Sequence, residues 1–178
     1  MLISDGFEEI EAISVVDILR RCGININICS ITGSKIVESS RSVKITSDTI
    51  ITELKELPGE YKAVILSGGL PNAETLRDSD EVISILKLFY KNDLTVAAIC
   101  AAPIALERAG LLKGRKTTSY PDCIDESACK YMEEDVVVDG RIITSRGAGT
   151  AAQFSFTIAK ELGFNKIADE VYKAMLYK

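Results

Sequence analysis

Thr95-Val96-Ala97-Ala98-Ile99-Cys100-Ala101-Ala102-Pro103-Ile104-Ala105 is the stretch on which the fold turns. A small and β-branched run ends at Cys100, and a helix-forming run begins at once, with Pro103 where a helix's first turn tolerates it. A strand without polar alternation that feeds straight into a helix is the repeating unit of a parallel sheet covered on both faces. A residue pinned in so sharp a turn is a nucleophile elbow, which needs small neighbours two positions either side so that the backbones can approach. Ala98 and Ala102 supply them. The Cys100 thiol would leave the sheet at a helix N-terminus, where the dipole and free N–H groups favour thiolate over thiol. The plain alternative is that Cys100 is a small buried residue and nothing more, since free cysteine is among the most buried types.

Working outward, short apolar runs alternate with helix-length amphipathic segments. Strands are expected at Met1–Ser4, Ile24–Ile31, Ala63–Leu66, Thr95–Ile99 and Thr117–Ser119. Helices are expected at Phe7–Cys22, Ser79–Lys91 and Ala101–Leu111, then at Ala151–Leu162 and Lys166–Leu176 on either side of a break at Gly163. Val136-Val137-Val138 and Ile142-Ile143-Thr144 flank Asp139-Gly140, the turn pair of a two-residue hairpin, which adds an antiparallel pair to the sheet. Ser42–Asp48 alternates and reads as a further short strand outside the main sheet. The first strand is short for a buried one, so a few further residues are expected before Met1.

The 178 residues fit one domain, residues 1–178, with a full core. Hydrophobic residues make up 47% and charged residues 26%, which excludes disorder and fibrous repeats. The net charge of −5, with no basic cluster, argues against nucleic acid or an anionic membrane as partner. There is no histidine. Ser-His-Asp hydrolysis, Cys-His proteolysis, the Cys-His-Glu amidotransferase arrangement and imidazole metal sites all need one. Acid–base chemistry must then run on carboxylates, tyrosine, lysine or thiols. The five cysteines, at 22, 29, 100, 123 and 129, include no C-x-x-C pair, so reduced thiols in a cytoplasmic protein are expected, with no metal and no cofactor. Cys22 and Cys29 read as core, and Cys123 and Cys129 fall in a polar loop or short helix.

Two other segments carry chemistry. In Asp5-Gly6-Phe7-Glu8-Glu9-Ile10-Glu11, Asp5 and Glu8 fit a capping box, and Glu9 suits the first turn of a helix. Glu11 is different: with Val15, Ile18 and Cys22 it follows the i, i+4, i+7, i+11 spacing of one apolar face. Desolvated there, it would be protonated and able to donate a hydrogen bond; at the rim of the stripe it would reach water instead. Ser67-Gly68-Gly69 closes the strand Ala63–Leu66 with two glycines whose N–H groups can face a ligand, the usual place for an oxyanion site. A plain loop-forming turn is the alternative. Neither G-x-G-x-x-G nor G-x-x-x-x-G-K is present, so it is not a dinucleotide or phosphate loop. A second glycine-rich turn, Ser145-Arg146-Gly147-Ala148-Gly149-Thr150, follows the hairpin. The elbow, the glycine pair and the first helix all begin at carboxyl ends of parallel strands, so they can share one crevice.

Taken together, Asp5-Gly6-Phe7-Glu8-Glu9-Ile10-Glu11, Ser40-Arg41-Ser42-Val43, Leu66-Ser67-Gly68-Gly69, Ala97-Ala98-Ile99-Cys100-Ala101-Ala102-Pro103 and Thr144-Ser145-Arg146-Gly147-Ala148-Gly149-Thr150 resemble the ThiJ/PfpI superfamily, in particular its Parkinsonism-associated deglycase (DJ) type. The resemblance implies a flavodoxin-like three-layer α/β sandwich of the class I glutamine amidotransferase-like kind, and a homodimer. It implies that Cys100 is the reactive, oxidisable cysteine, that Glu11 is the protonated glutamate beside it, and that Gly69 and Ala101 N–H groups form the oxyanion site next to Gly68. Arg41 would approach the pocket from the other subunit. Where many relatives carry a histidine near the cysteine this chain has Tyr120, which puts the peptidase activity of some relatives in doubt. The implied activity is on small aldehydes or glycated substrates, as a glyoxalase or deglycase without cofactor. A redox sensor or chaperone with an oxidised cysteine is the alternative, as is a role under the family's older naming for thiazole monophosphate biosynthesis.

Overall fold

The computed structural model describes residues 1–54 and 57–177. Its centre is a seven-stranded sheet in the order β10-β11-β7-β6-β1-β2-β5. The strands are β1 (Leu2–Ile3), β2 (Cys29–Ser30), β5 (Thr49–Ile50), β6 (Ala63–Leu66), β7 (Thr95–Ile99), β10 (Val136–Asp139) and β11 (Ile142–Ser145). All pairings are parallel except β10 with β11, the hairpin closed by Asp139-Gly140. Two small sheets stand outside: β3 (Ile36–Glu38) runs antiparallel to β4 (Lys44–Thr46), and β8 (Lys116–Thr117) runs parallel to β9 (Lys130–Tyr131).

The central strands are apolar without interruption because alternate residues feed two cores. Leu2, Val64, Leu66, Val96, Ala98 and Ile142 face α2 (Leu70–Asp78), α3 (Asp80–Lys91) and α4 (Pro103–Arg108), whose Leu76, Leu86 and Leu106 are fully buried. Ile3, Ile65, Ala97, Ile99 and Ile143 face α1 (Glu9–Arg21), α5 (Ala151–Glu161) and α6 (Asn165–Ala174), through Val15, Ile18, Phe154 and Ile158. This is the flavodoxin-like three-layer α/β sandwich expected, and among the described residues no helix is long and apolar enough to cross a membrane.

Several expectations are corrected. The apolar run Ile24–Ile31 pairs only at Cys29 and Ser30, because its neighbour β1 offers just two residues to pair with. Thr117–Ser119 is not a strand of the main sheet: β10 occupies the outer edge of β11, and only Lys116 and Thr117 pair, with Lys130 and Tyr131. The helix expected at Ala101–Leu111 shrinks to Pro103–Arg108. Other elements were not anticipated: β3, β9, edge strand β5, and α2, which tolerates Pro71 in its first turn.

Candidate active site

Cys100 sits at the carboxyl end of β7 with φ +64°, a left-handed conformation rare for a residue with a side chain. Its N–H donates to Ser145 O at 2.9 Å, and its carbonyl accepts from Tyr120 N at 2.8 Å, so the backbone is clamped from both sides. The flanking Ala98 and Ala102 are wholly buried. Strain of this kind costs about 1–3 kcal/mol and persists only where the surroundings over-determine it.

Glu11 arrives from α1. The N-cap is Glu8 itself, whose carboxylate accepts from Glu11 N at 2.7 Å. The expected pairing of Asp5 with Glu8 in a capping box does not form, because Asp5 Oδ1 is taken by Glu38 N at 2.9 Å. Glu11 is 0% exposed, inside the apolar stripe rather than at its rim. Oε2 accepts from Gly68 N at 2.7 Å. Oε1 is buried without a hydrogen bond of acceptable geometry, although the carboxyl lies close enough to the Cys100 thiol for each group to shift the other's titration. Burial pushes the Glu11 pKa up to about 7, against the opposing influence of the nearby Cys100 thiol and the Gly68 hydrogen bond.

Gly68 explains how the two reach each other. A Cβ there would fall 2.5 Å from Cys100 Cβ and 2.5 Å from Glu11 Oε2, so only a residue without a side chain leaves the pair undivided. Gly69, at φ +84°, is equally constrained, since a Cβ would stand 2.1 Å from Gly6 O. The Cys100 thiol is raised first by burial and then by the Glu11 charge, and the N–H groups of Gly69 and Ala101 lie near enough to the sulfur to lower it in part. The thiol is pushed up to about 12. Burial and the Glu11 charge thus oppose the thiolate expected from a helix N-terminus, where α4 has only six residues to supply a dipole.

Of the remaining residues, Tyr120 borders the site. Its N–H holds the Cys100 carbonyl, its ring lies 3.8 Å from the point a Cβ on Gly147 would occupy, and its side chain is half exposed. Arg41 is exposed on the loop before β4, with Nη1 donating to the Ser40 carbonyl at 3.1 Å. Cys22 and Cys29 lie in the cores, while Cys123 and Cys129 are half-buried in turns. Among the described residues no cluster of Cys, Asp and Glu is arranged to hold a metal ion. Sequence reasoning passed over Asn72, a wholly buried polar residue that holds the carbonyls of Ser67 and Gly68. The signal was there: Asn72 and Leu76 are spaced i, i+4 on one buried face, the same pattern that drew attention to Glu11.

The chain that brings together this strained cysteine, buried glutamate and glycine pair is similar to known proteins over nearly its whole length. Residues 1–161 match the DJ-1/PfpI family. Protein dj-1beta of Drosophila melanogaster is 36% identical over 179 residues, covering 99% of this chain and 95% of the relative. Its crystal structure superposes with a TM-score of 0.92 at 34% identity, over 99% of this chain and 96% of that one. An oxidised DJ-1 from Toxoplasma gondii gives 0.91 at 32% identity, with 99% and 96% covered. Protein DJ-1 homolog B of Arabidopsis thaliana is 35% identical over 98% of this chain, which spans only 40% of that longer protein. With the matched segments running nearly end to end, the chain belongs to the DJ-1/PfpI family.

Proposed function

We propose that the protein converts small reactive carbonyls such as methylglyoxal to hydroxy acids through Cys100 and Glu11, without metal or cofactor. The observation that carries the proposal is the contact of a strained thiol with a buried carboxyl that titrates near neutrality, across a glycine that keeps them together. With burial opposing the thiolate, Glu11 acts first as a base: it takes the sulfur proton as sulfur bonds to the aldehyde carbon. The N–H groups of Gly69 and Ala101 hold the resulting oxyanion, which Glu11 then protonates to give a hemithioacetal. The regenerated carboxylate removes the proton from the former aldehyde carbon and returns it to the adjacent one, leaving a thioester. Water cleaves the thioester, releases the hydroxy acid and restores the thiol. Lactate formation from methylglyoxal by purified protein tests the scheme, and wild-type turnover in Cys100→Ser overturns it.

A second reading, a redox sensor, is favoured by the same N–H groups, which suit the oxygens of a sulfinate as well as an oxyanion, with the Glu11 carboxyl as donor. Mild peroxide should add two oxygens to Cys100 alone; oxidation spread over all five thiols counts against it. The five free cysteines suit a reducing compartment, and we assign the protein to the cytoplasm. We also assign it a homodimer. Ile10 and Ile13 on α1 and Val43 before β4 are 55%, 41% and 47% exposed, and a second copy seated there would bring Arg41 towards the crevice. Sedimentation should report twice the chain mass, and a monomer at micromolar concentration would remove this assignment.

A further inference from the structure

Asn72 is the third residue of α2 and is 0% exposed. Its Nδ2 donates to Ser67 O at 2.7 Å and to Gly68 O at 3.0 Å. Its Oδ1 accepts from Ser4 N at 2.6 Å and from Ser4 Oγ at 3.1 Å. A side-chain amide has two donor hydrogens and an acceptor with two lone pairs, so every capacity is used. The orientation is fixed as well: the Ser4 N–H can only donate and the two carbonyls can only accept.

The carbonyls matter because of what lies at the other end of each peptide plane. A trans peptide is rigid, with the carbonyl of one residue and the N–H of the next pointing in opposite directions. The Ser67 carbonyl shares its plane with the Gly68 N–H, which donates to Glu11 Oε2 at 2.7 Å. The Gly68 carbonyl shares its plane with the Gly69 N–H, which lies near enough to the Cys100 sulfur to favour its thiolate. Both planes meet at glycine, the residue least able to hold its own dihedral angles. Asn72 therefore grips two planes by their outer ends while their inner ends address the carboxyl and the thiol. The Glu8 N–H, 3.0 Å from the Gly68 carbonyl, helps on the second plane.

We propose that Asn72 is a positioning residue that aims the Gly68 and Gly69 N–H groups at Glu11 and Cys100. Its part in turnover rests on the carbonyl chemistry proposed above, but its effect on the two groups does not. In Asn72→Ala the Glu11 carboxyl, followed by carbon-13 NMR, should titrate higher than in the wild type, because its carboxylate loses a well-aimed donor. Alkylation of Cys100 by iodoacetamide at pH 9, where Glu11 is ionised, should slow by roughly tenfold as the sulfur loses the Gly69 N–H, with Cys123 as the internal control. Asn72→Ser keeps one donor and should fall between the two; it also serves if Asn72→Ala does not fold. A lowered urea midpoint with both readouts at wild-type values would make Asn72 a packing residue and overturn the proposal. Failure of the wild type to turn over methylglyoxal would remove the proposed reaction and leave these two readouts standing.

Discussion

Along β6 and β7, the middle residues and the residues just beyond the strand ends are built from opposite materials. Val64, Ile65, Val96 and Ala97 are apolar, buried and paired in an unbroken ladder. A few residues on, Gly69 and Cys100 take positive φ angles, and Ser67 Oγ and Glu11 Oε1 are buried without hydrogen-bond partners among the described residues. The interior is closely packed, and at the edge Gly68 and Gly69 leave no room for a Cβ. The difference teaches where the free energy goes: the two cores hold a strained, desolvated pair that no local preference would form.

The sharpest way to break this comparison is a single methyl group at the edge. Gly68→Ala places its Cβ between Cys100 and Glu11, and it does so without backbone strain, because the φ of Gly68 lies outside the left-handed region. Turnover of methylglyoxal should fall at least about 10³-fold, close to the loss of the nucleophile itself. Removing atoms from the interior should have the converse effect. Phe154→Ala empties a site that is 0% exposed and should cost about 3–5 kcal/mol in urea unfolding. The selectivity of peroxide for Cys100 should survive wherever the variant is folded.

The pair should also mark the stability profile. Glu11 titrates near 4.5 in an unfolded chain and near 7 when folded, so between those values the folded protein holds the extra proton. Stability should therefore be greatest at the acid end of that window, fall as pH rises through it, and level off above 7. Glu11→Gln has no proton to lose. Relative to wild type it should gain about 2–3 kcal/mol between pH 5 and pH 8, read from urea midpoints at each pH. Parallel profiles for the two proteins would show that Glu11 titrates normally.

What could be read in advance divides along the same line. The elbow, the Asp139-Gly140 hairpin and the apolar stripe of α1 were legible because each depends on residues close together in sequence. The stripe even exposed Glu11, since a carboxylate at an apolar period contradicts its neighbours. Less legible were features set by a distant partner. Ile24–Ile31 has the composition of a long strand, but β1 limits the pairing to two residues. Thr117–Ser119 lost its place because the edge of β11 was already filled by β10. The influences on the Cys100 thiol divide in the same way: the N–H groups that favour a thiolate are local, while the burial and the Glu11 charge that oppose it come from elsewhere in the chain.

The smallest test separates local from distant influence at one residue. Glu8 caps α1 through its bond to Glu11 N, and its charge also raises the Glu11 pKa. Glu8→Ala removes both, so it should cost about 1 kcal/mol of stability and move the Glu11 titration down. Glu8→Ser keeps an oxygen able to cap and discards only the charge. Stability should then return towards wild type while the Glu11 titration stays lowered. Were the titration to return along with the stability, the Glu8 effect would have to pass through the helix end rather than through space. The carboxyl would then be tuned by how α1 starts, and not by the charge beside it.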